Sequence, residues 1–132
     1  MVQLGDPDGS AVTLSDPYRD GSDFVIFTLA MTGQGLSARS LVRSLETGGG
    51  LATFVKSLAE SWEGWEGTRT WHSAENDLSI GATSDPLGHV RLAITLRESY
   101  QPESWAATCV VLAEAGEEMK RVSDAVGSFL AL

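Results

Sequence analysis

The sequence predicts an α+β domain: an antiparallel sheet of about six strands with two helices on one face, in the order (β)ββαββββα. Three observations lead there. Apolar residues alternate with period two in several separate stretches, most cleanly in HVRLAITLRES (89–99). Two other stretches, LATFVKSLAESW (51–62) and EAGEEMKRVSDAVGSFLAL (114–132), switch to helical spacing. Short runs of Asp, Pro, Gly and Ser separate the strand-like pieces. Successive short strands usually pair as neighbours, and two helices with one apolar stripe each need a sheet face to cover.

Residues 1–23 read as a turn-rich segment holding one short strand, AVTL (11–14). DPDG and SDPYRDGSD place Asp, Pro and Gly where turns want them. Asp6, Asp8, Asp16, Asp20 and Asp23 lack the spacing of a calcium loop. DFVIFTLAMT (23–32) is a strong strand with Val25, Phe27, Leu29 and Met31 on one face. Its other face, Phe24, Ile26, Thr28 and Ala30, is also largely apolar, as in strands covered on both sides. TGQG (32–35) is a hairpin turn. In the return strand Arg39, Leu41 and Arg43 point one way, and Ala38, Ser40 and Val42 the other.

GGG (48–50) ends that strand. The first helix carries Leu51, Phe54, Val55, Leu58 and Trp62 as one stripe, which places Trp62 in the core. GWEG (64–67) is a connector, with Trp65 at the core edge. TRTWHS (68–73), DLSIGATS (77–84), HVRLAITLRES and WAATCVVLAE (105–114) are strands, separated by the turn SDPLGH (84–89) and the loop SYQPES (99–104). Val90, Leu92, Ile94 and Leu96 share a face. The closing helix has Ala115, Met119, Val122, Val126 and Phe129 as its stripe. Glu114, Glu117 and Glu118 crowd its start, where the helix dipole favours negative charge. No internal repeat or long linker is visible.

The 132 residues fit one domain, residues 1–132. The net charge of −9 argues against nucleic acid, which needs cationic surface to displace counterions. No apolar run is long enough for a membrane span, and no secretory start is present. A cytoplasmic protein is therefore expected. The single cysteine, Cys109, lies mid-strand among apolar neighbours and reads as an inert buried thiol. His72, His89 and Glu75 lack zinc-ligand spacing. No nucleophile elbow, phosphate loop or dinucleotide fingerprint occurs, so neither a cofactor nor a metal is expected.

The arginines carry more information. Five of seven fall in expected strands: Arg39, Arg43, Arg69, Arg91 and Arg97. Arg39, Arg43, Arg91 and Arg97 lie opposite the core-facing residues, among small side chains such as Ser79, Gly81, Thr83, Ala93 and Thr95. An open arginine face suits a carboxylate- or phosphate-bearing ligand. It equally suits a solvated antiparallel sheet. Trp71 shares a strand face with Arg69, and two orientations are open. Facing inward, Trp71 draws Arg69 inward or to the rim; facing outward, it stands beside Arg69 as a cation–aromatic pair. The candidate partner-binding set is Arg39, Arg43, Arg69, Trp71, Arg91 and Arg97.

The combination GWEGTRTWHSAENDLSI, GHVRLAITLR and EAGEEM resembles an uncharacterised actinobacterial family of unknown function, from about residue 24 to the end. That resemblance implies no catalytic residue. The order of elements and the acidity are more distantly similar to small immunity proteins of bacterial contact-dependent toxin systems, which implies a protein partner. The expectation is a noncatalytic acidic protein-binding domain whose partner is another protein, a toxin foremost. The alternatives are a small-molecule sensor using the arginine face, and a homo-oligomeric domain, a homodimer first.

Overall fold

The computed structural model describes residues 1–99, 101 and 103–132. The expected loop at 99–104 lies partly outside the described residues, because it includes Tyr100 and Pro102. Eight strands form where about six were expected. They make two four-stranded antiparallel sheets in place of one sheet. The first contains β1 (Val2–Gly5), β2 (Ala11–Asp20), β3 (Phe24–Gly33) and β4 (Leu36–Leu45), in that spatial order. Helix α1 (Leu51–Glu60) follows. The second sheet contains β5 (Arg69–His72), β6 (Leu78–Ser84), β7 (His89–Arg97) and β8 (Ala106–Glu114), again in order, and helix α2 (Glu117–Leu130) follows. The chain is thus two ββββα halves, and α1 packs on α2.

Two physical causes explain the added strands and the split sheet. In β2, Val12 and Leu14 are buried, but the register on β3 shifts between Ser15 and Tyr18. Asp16 sits there at φ 54, a left-handed conformation that Asp tolerates, and Pro17 follows. This bulge breaks the two-residue period. The turn-like letters SDPYRD therefore lie inside a strand. The sheet divides because α1 stands between β4 and β5. Neighbouring strands pair readily through short turns, and a helix is not one.

One apolar cluster fills the interior. Val25, Phe27, Leu29 and Met31 of β3 are buried, as are Leu78, Ile80 and Ala82 of β6 and Val90, Leu92, Ile94 and Leu96 of β7. Cys109 is buried too. The helices present Leu51, Val55 and Leu58, and Met119, Val126, Phe129 and Leu130. The gap among these side chains is about 30 Å³. Ligand pockets run to roughly 300–1,000 Å³, so this gap cannot take a small-molecule ligand.

Helix α1 starts at a glycine that offers no capping side chain. Glu46 supplies the cap from the end of β4: its Oε2 accepts the Leu51 N–H at 3.0 Å and the hydroxyl of buried Ser44. Glu46→Ala removes both bonds and leaves a buried hydroxyl without its acceptor. A loss of about 1–2 kcal/mol in unfolding free energy is expected, read as a lower urea midpoint. The helix ends at Glu60, and Gly64 N–H donates to the Ser61 carbonyl as the chain turns. Trp62 therefore falls beyond the helix and is 62% exposed, against the expectation that it lies in the core. Its position in the stripe is right by count, but the helix stops one residue before Ser61.

The β6–β7 turn is organised by Asp85. Its carboxylate accepts the backbone N–H of Leu87 at 2.8 Å and of His89 at 2.9 Å, and meets His89 Nδ1 at 3.0 Å. These contacts, the His89 backbone bond foremost, hold its pKa below the ordinary aspartate value. A lowered folded pKa means the turn's contribution is present above the unfolded value and is lost as pH falls through the folded one. An NMR titration is expected to place the Asp85 carboxyl below an unstructured aspartate, and Asp85→Asn should remove that acid-dependent step.

Candidate functional site

The structure divides the arginine set among three places. Arg39 and Arg43 lie on the outer face of the first sheet, where they pair in register with Ala30 and Ile26. Arg39 is exposed. Arg43 is held: its Nε donates to Asp20 at 2.9 Å, Glu75 lies at 3.8 Å, and the guanidinium sits 3.5 Å from the centroid of Phe24. Arg91 and Arg97 lie on the outer face of the second sheet, opposite Leu112 and Ala106 of β8. Among the described residues neither has a carboxylate partner. They are six residues apart on one strand, about 20 Å along the backbone. That is wide for a single small anion.

Trp71 faces inward. It is opposite Ile80, which is buried, and its ring stacks on Phe54 of α1 with centroids 6.5 Å apart. Arg69 follows it to the rim, one of the two places open to it beside an inward Trp71. Its Nη1 donates to Ser61 Oγ at 2.8 Å, and the guanidinium lies 4.6 Å from the Trp65 ring. Trp65 packs against the core and donates its indole N–H to the Ala82 carbonyl at 3.1 Å. The Arg69–Trp65 pair therefore ties the connector to α1, where it is occupied by the chain's own groups.

A cleft that the strand pattern does not reveal lies elsewhere. It measures about 460 Å³ and is lined by β1, β8 and the start of α2. Leu4, Val110, Leu112 and Val122 supply apolar surface, and Gln3, Asp6, Ser10, Glu118 and Arg121 supply polar surface. Each of β1 and β8 ends its sheet, with a strand neighbour on one side only. Their outer edges come close without pairing to each other. Unpaired strand edges are templates for another strand. The other long edge is treated differently. On β4, the Arg43 carbonyl accepts the Ala74 N–H at 3.0 Å, and the Leu41 carbonyl accepts the Ser99 hydroxyl at 2.6 Å. The remaining edge strand, β5, has four residues, as β1 does, and does not border the cleft.

Several features shape the cleft. Gly5 ends β1 at φ 85, and a side chain there would strike the Ser10 carbonyl, so the tight β1–β2 turn needs glycine. Glu118 Oε1 accepts the Glu114 N–H at 3.0 Å, which fixes the start of α2 to the end of β8. Arg121 reaches Glu118 at 3.8 Å, so the one cation on the rim already faces a carboxylate. Leu112 stands 63% exposed at the border. The alternation of residues 105–114 assigns Leu112 only to a strand. Finding the cleft required knowing that β1 exists and that β8 ends a sheet.

Among the described residues, no group of three or more His, Cys, Asp or Glu is placed to hold a metal ion, and no helix is long and apolar enough to cross a membrane. In comparison with protein families, a model described as a family of unknown function, DUF6228, matches residues 3–132. Neither the comparison with curated proteins nor that with solved structures returns a match.

Proposed function

The chain belongs to DUF6228, a family of unknown function, and for it we propose a noncatalytic role: binding a basic protein partner whose extended segment lies in the cleft between β1 and β8. The cleft itself carries this reading. It joins two free strand edges, an exposed leucine and a rim on which Asp6 and Glu118 outnumber Arg121. Main-chain bonding along a strand edge supplies affinity, and the flanking side chains supply selectivity. The chain's −9 charge steers a cationic partner toward it. An immunity protein that covers a basic toxin in the cytoplasm is the form of this role that the acidity favours.

The test is a pull-down and co-expression with the product of the adjacent gene, using the wild type and Leu112→Asp. The wild type should bind, protect cells if the partner is toxic, and lose association rate as salt is raised. Leu112→Asp should weaken binding by about tenfold or more, because an exposed apolar anchor becomes a charge. Full binding by Leu112→Asp would remove the cleft from the reading. No association and no protection by the wild type would remove the immunity form.

A second reading rests on the guanidinium groups of Arg91 and Arg97, which have no carboxylate partner among the described residues. Their spacing fits an extended polyanion better than a small molecule. Arg91→Glu with Arg97→Glu should abolish such binding with the fold intact, and unchanged binding would end this reading.

A further inference from the structure

The outer face of the first sheet has an apolar patch that the cleft does not use. Register places its side chains in cross-strand rows: Asp20, Phe24 and Leu45; Tyr18, Ile26 and Arg43; Ser15, Thr28 and Leu41; Thr13, Ala30 and Arg39. Tyr18 is 51% exposed, Leu41 50% and Leu45 43%. Phe24 and Ile26 lie between them, half-buried. β2, β3 and β4 each have ten residues, so the face spans about 34 Å by about 14 Å. Within it Tyr18, Ile26, Leu41 and Leu45 are apolar, with the Arg43 guanidinium lying over Phe24 among them, and exposed apolar side chains gathered in this way mark an interaction site. No helix covers this side, since α1 and α2 pack on the inner faces.

We propose that this face is the interface of a homodimer, the occupant being a second copy of the same chain. The arrangement of charge selects that occupant. A protein of net charge −9 repels its own copies over most of its surface. Here both signs are present: Asp20, which already holds Arg43 at 2.9 Å and keeps 47% of its side chain exposed, at one corner, and exposed Arg39 at the diagonal corner. A two-fold axis across that diagonal sets each Arg39 toward the other copy's Asp20, as an isologous contact requires. Arg39 has no carboxylate partner within its own chain among the described residues. The patch centre, from Tyr18 through Ile26 to Leu41, would be desolvated as the apolar core of the interface. This inference is independent of the partner cleft, which lies on the opposite edge of the first sheet at β1.

Light scattering after size exclusion, on the full chain at micromolar concentration, tests it. The wild type should run at twice its 14.0 kDa. Leu41→Asp, at a position already half in solvent, should raise the dimer dissociation constant by about tenfold or more. Arg39→Asp is the second variant and should weaken the dimer through charge alone, more strongly at low salt. Lys56→Glu, exposed on α1 and away from this face, should leave the dimer intact. Far-ultraviolet circular dichroism confirms that each variant is folded. A wild type of 14.0 kDa at the highest soluble concentration overturns the proposal. So does a dimer that Lys56→Glu dissociates while Leu41→Asp and Arg39→Asp do not.

Discussion

Phe27→Ala is expected to lower the unfolding free energy by about 3–5 kcal/mol, the usual range for truncating a buried aromatic residue. Phe27 is fully buried in β3, which is an inner strand of its sheet. Its ring meets Phe129 of α2 edge-on, at 5.8 Å between centroids and an interplanar angle of 82°. Edge-to-face contact adds about 0.5–1.5 kcal/mol beyond burial. Truncation therefore removes buried area and uncouples the last helix from the first sheet. The packed interior has little slack with which to refill the space, so much of the cavity cost persists. Domains of this kind are stable by about 5–15 kcal/mol, and the variant would lose a large share of that. Urea unfolding followed by circular dichroism measures it. Both proteins must be compared at one concentration, because a dimer makes apparent stability depend on concentration. A loss under about 1 kcal/mol would mean that α2 does not rest on Phe27.

The parts of the fold legible in the sequence are those where one face is buried and the period is unbroken. β3, β6 and β7 put the expected residues inside because a shift of one position would expose a whole row of apolar side chains. The helix stripes were legible for the same reason. Other features were not. Asp16 and Pro17 look like turn residues, and only the pairing of Tyr18 with Ile26 shows that the strand resumes after a bulge. Trp62 continues the stripe by count, but helix termination depends on backbone bonds around Ser61 that periodicity does not encode. The partition into two sheets was also hidden, since alternation specifies faces and says nothing of which strands are neighbours across a helix. The cleft depends on that partition: β1 and β8 are edges only because there are two sheets. The inner or outer facing of Arg91 and Arg97 was readable from β7. The separation of Arg39 and Arg43 onto another sheet was not.

Trp71→Ala tests the orientation that alternation left open for β5, and it should cost about 2–4 kcal/mol. That is below the ~3–5 kcal/mol usual for truncating a fully buried tryptophan, because Trp71 is only partly buried. Its loss would unstack Phe54 and strip the cover from Ile80, weakening the seam between α1 and the second sheet. Arg69 lies on the same side of β5, so its grip on Ser61 and Trp65 should loosen as well. Thr70 is the internal control. It is exposed, one residue away and on the opposite side, and Thr70→Ala should change stability by no more than about 0.5 kcal/mol. Thermal and urea unfolding of the two variants side by side measure the contrast. A larger loss for Thr70→Ala than for Trp71→Ala would mean that β5 turns its tryptophan to solvent. Trp71 and Arg69 would then rejoin the surface set, and Phe54 would need another partner. With the tryptophan inward, Trp65 and Trp71 form a junction that fastens α1 to β5 and β6, and neither ring belongs to a surface offered to a partner.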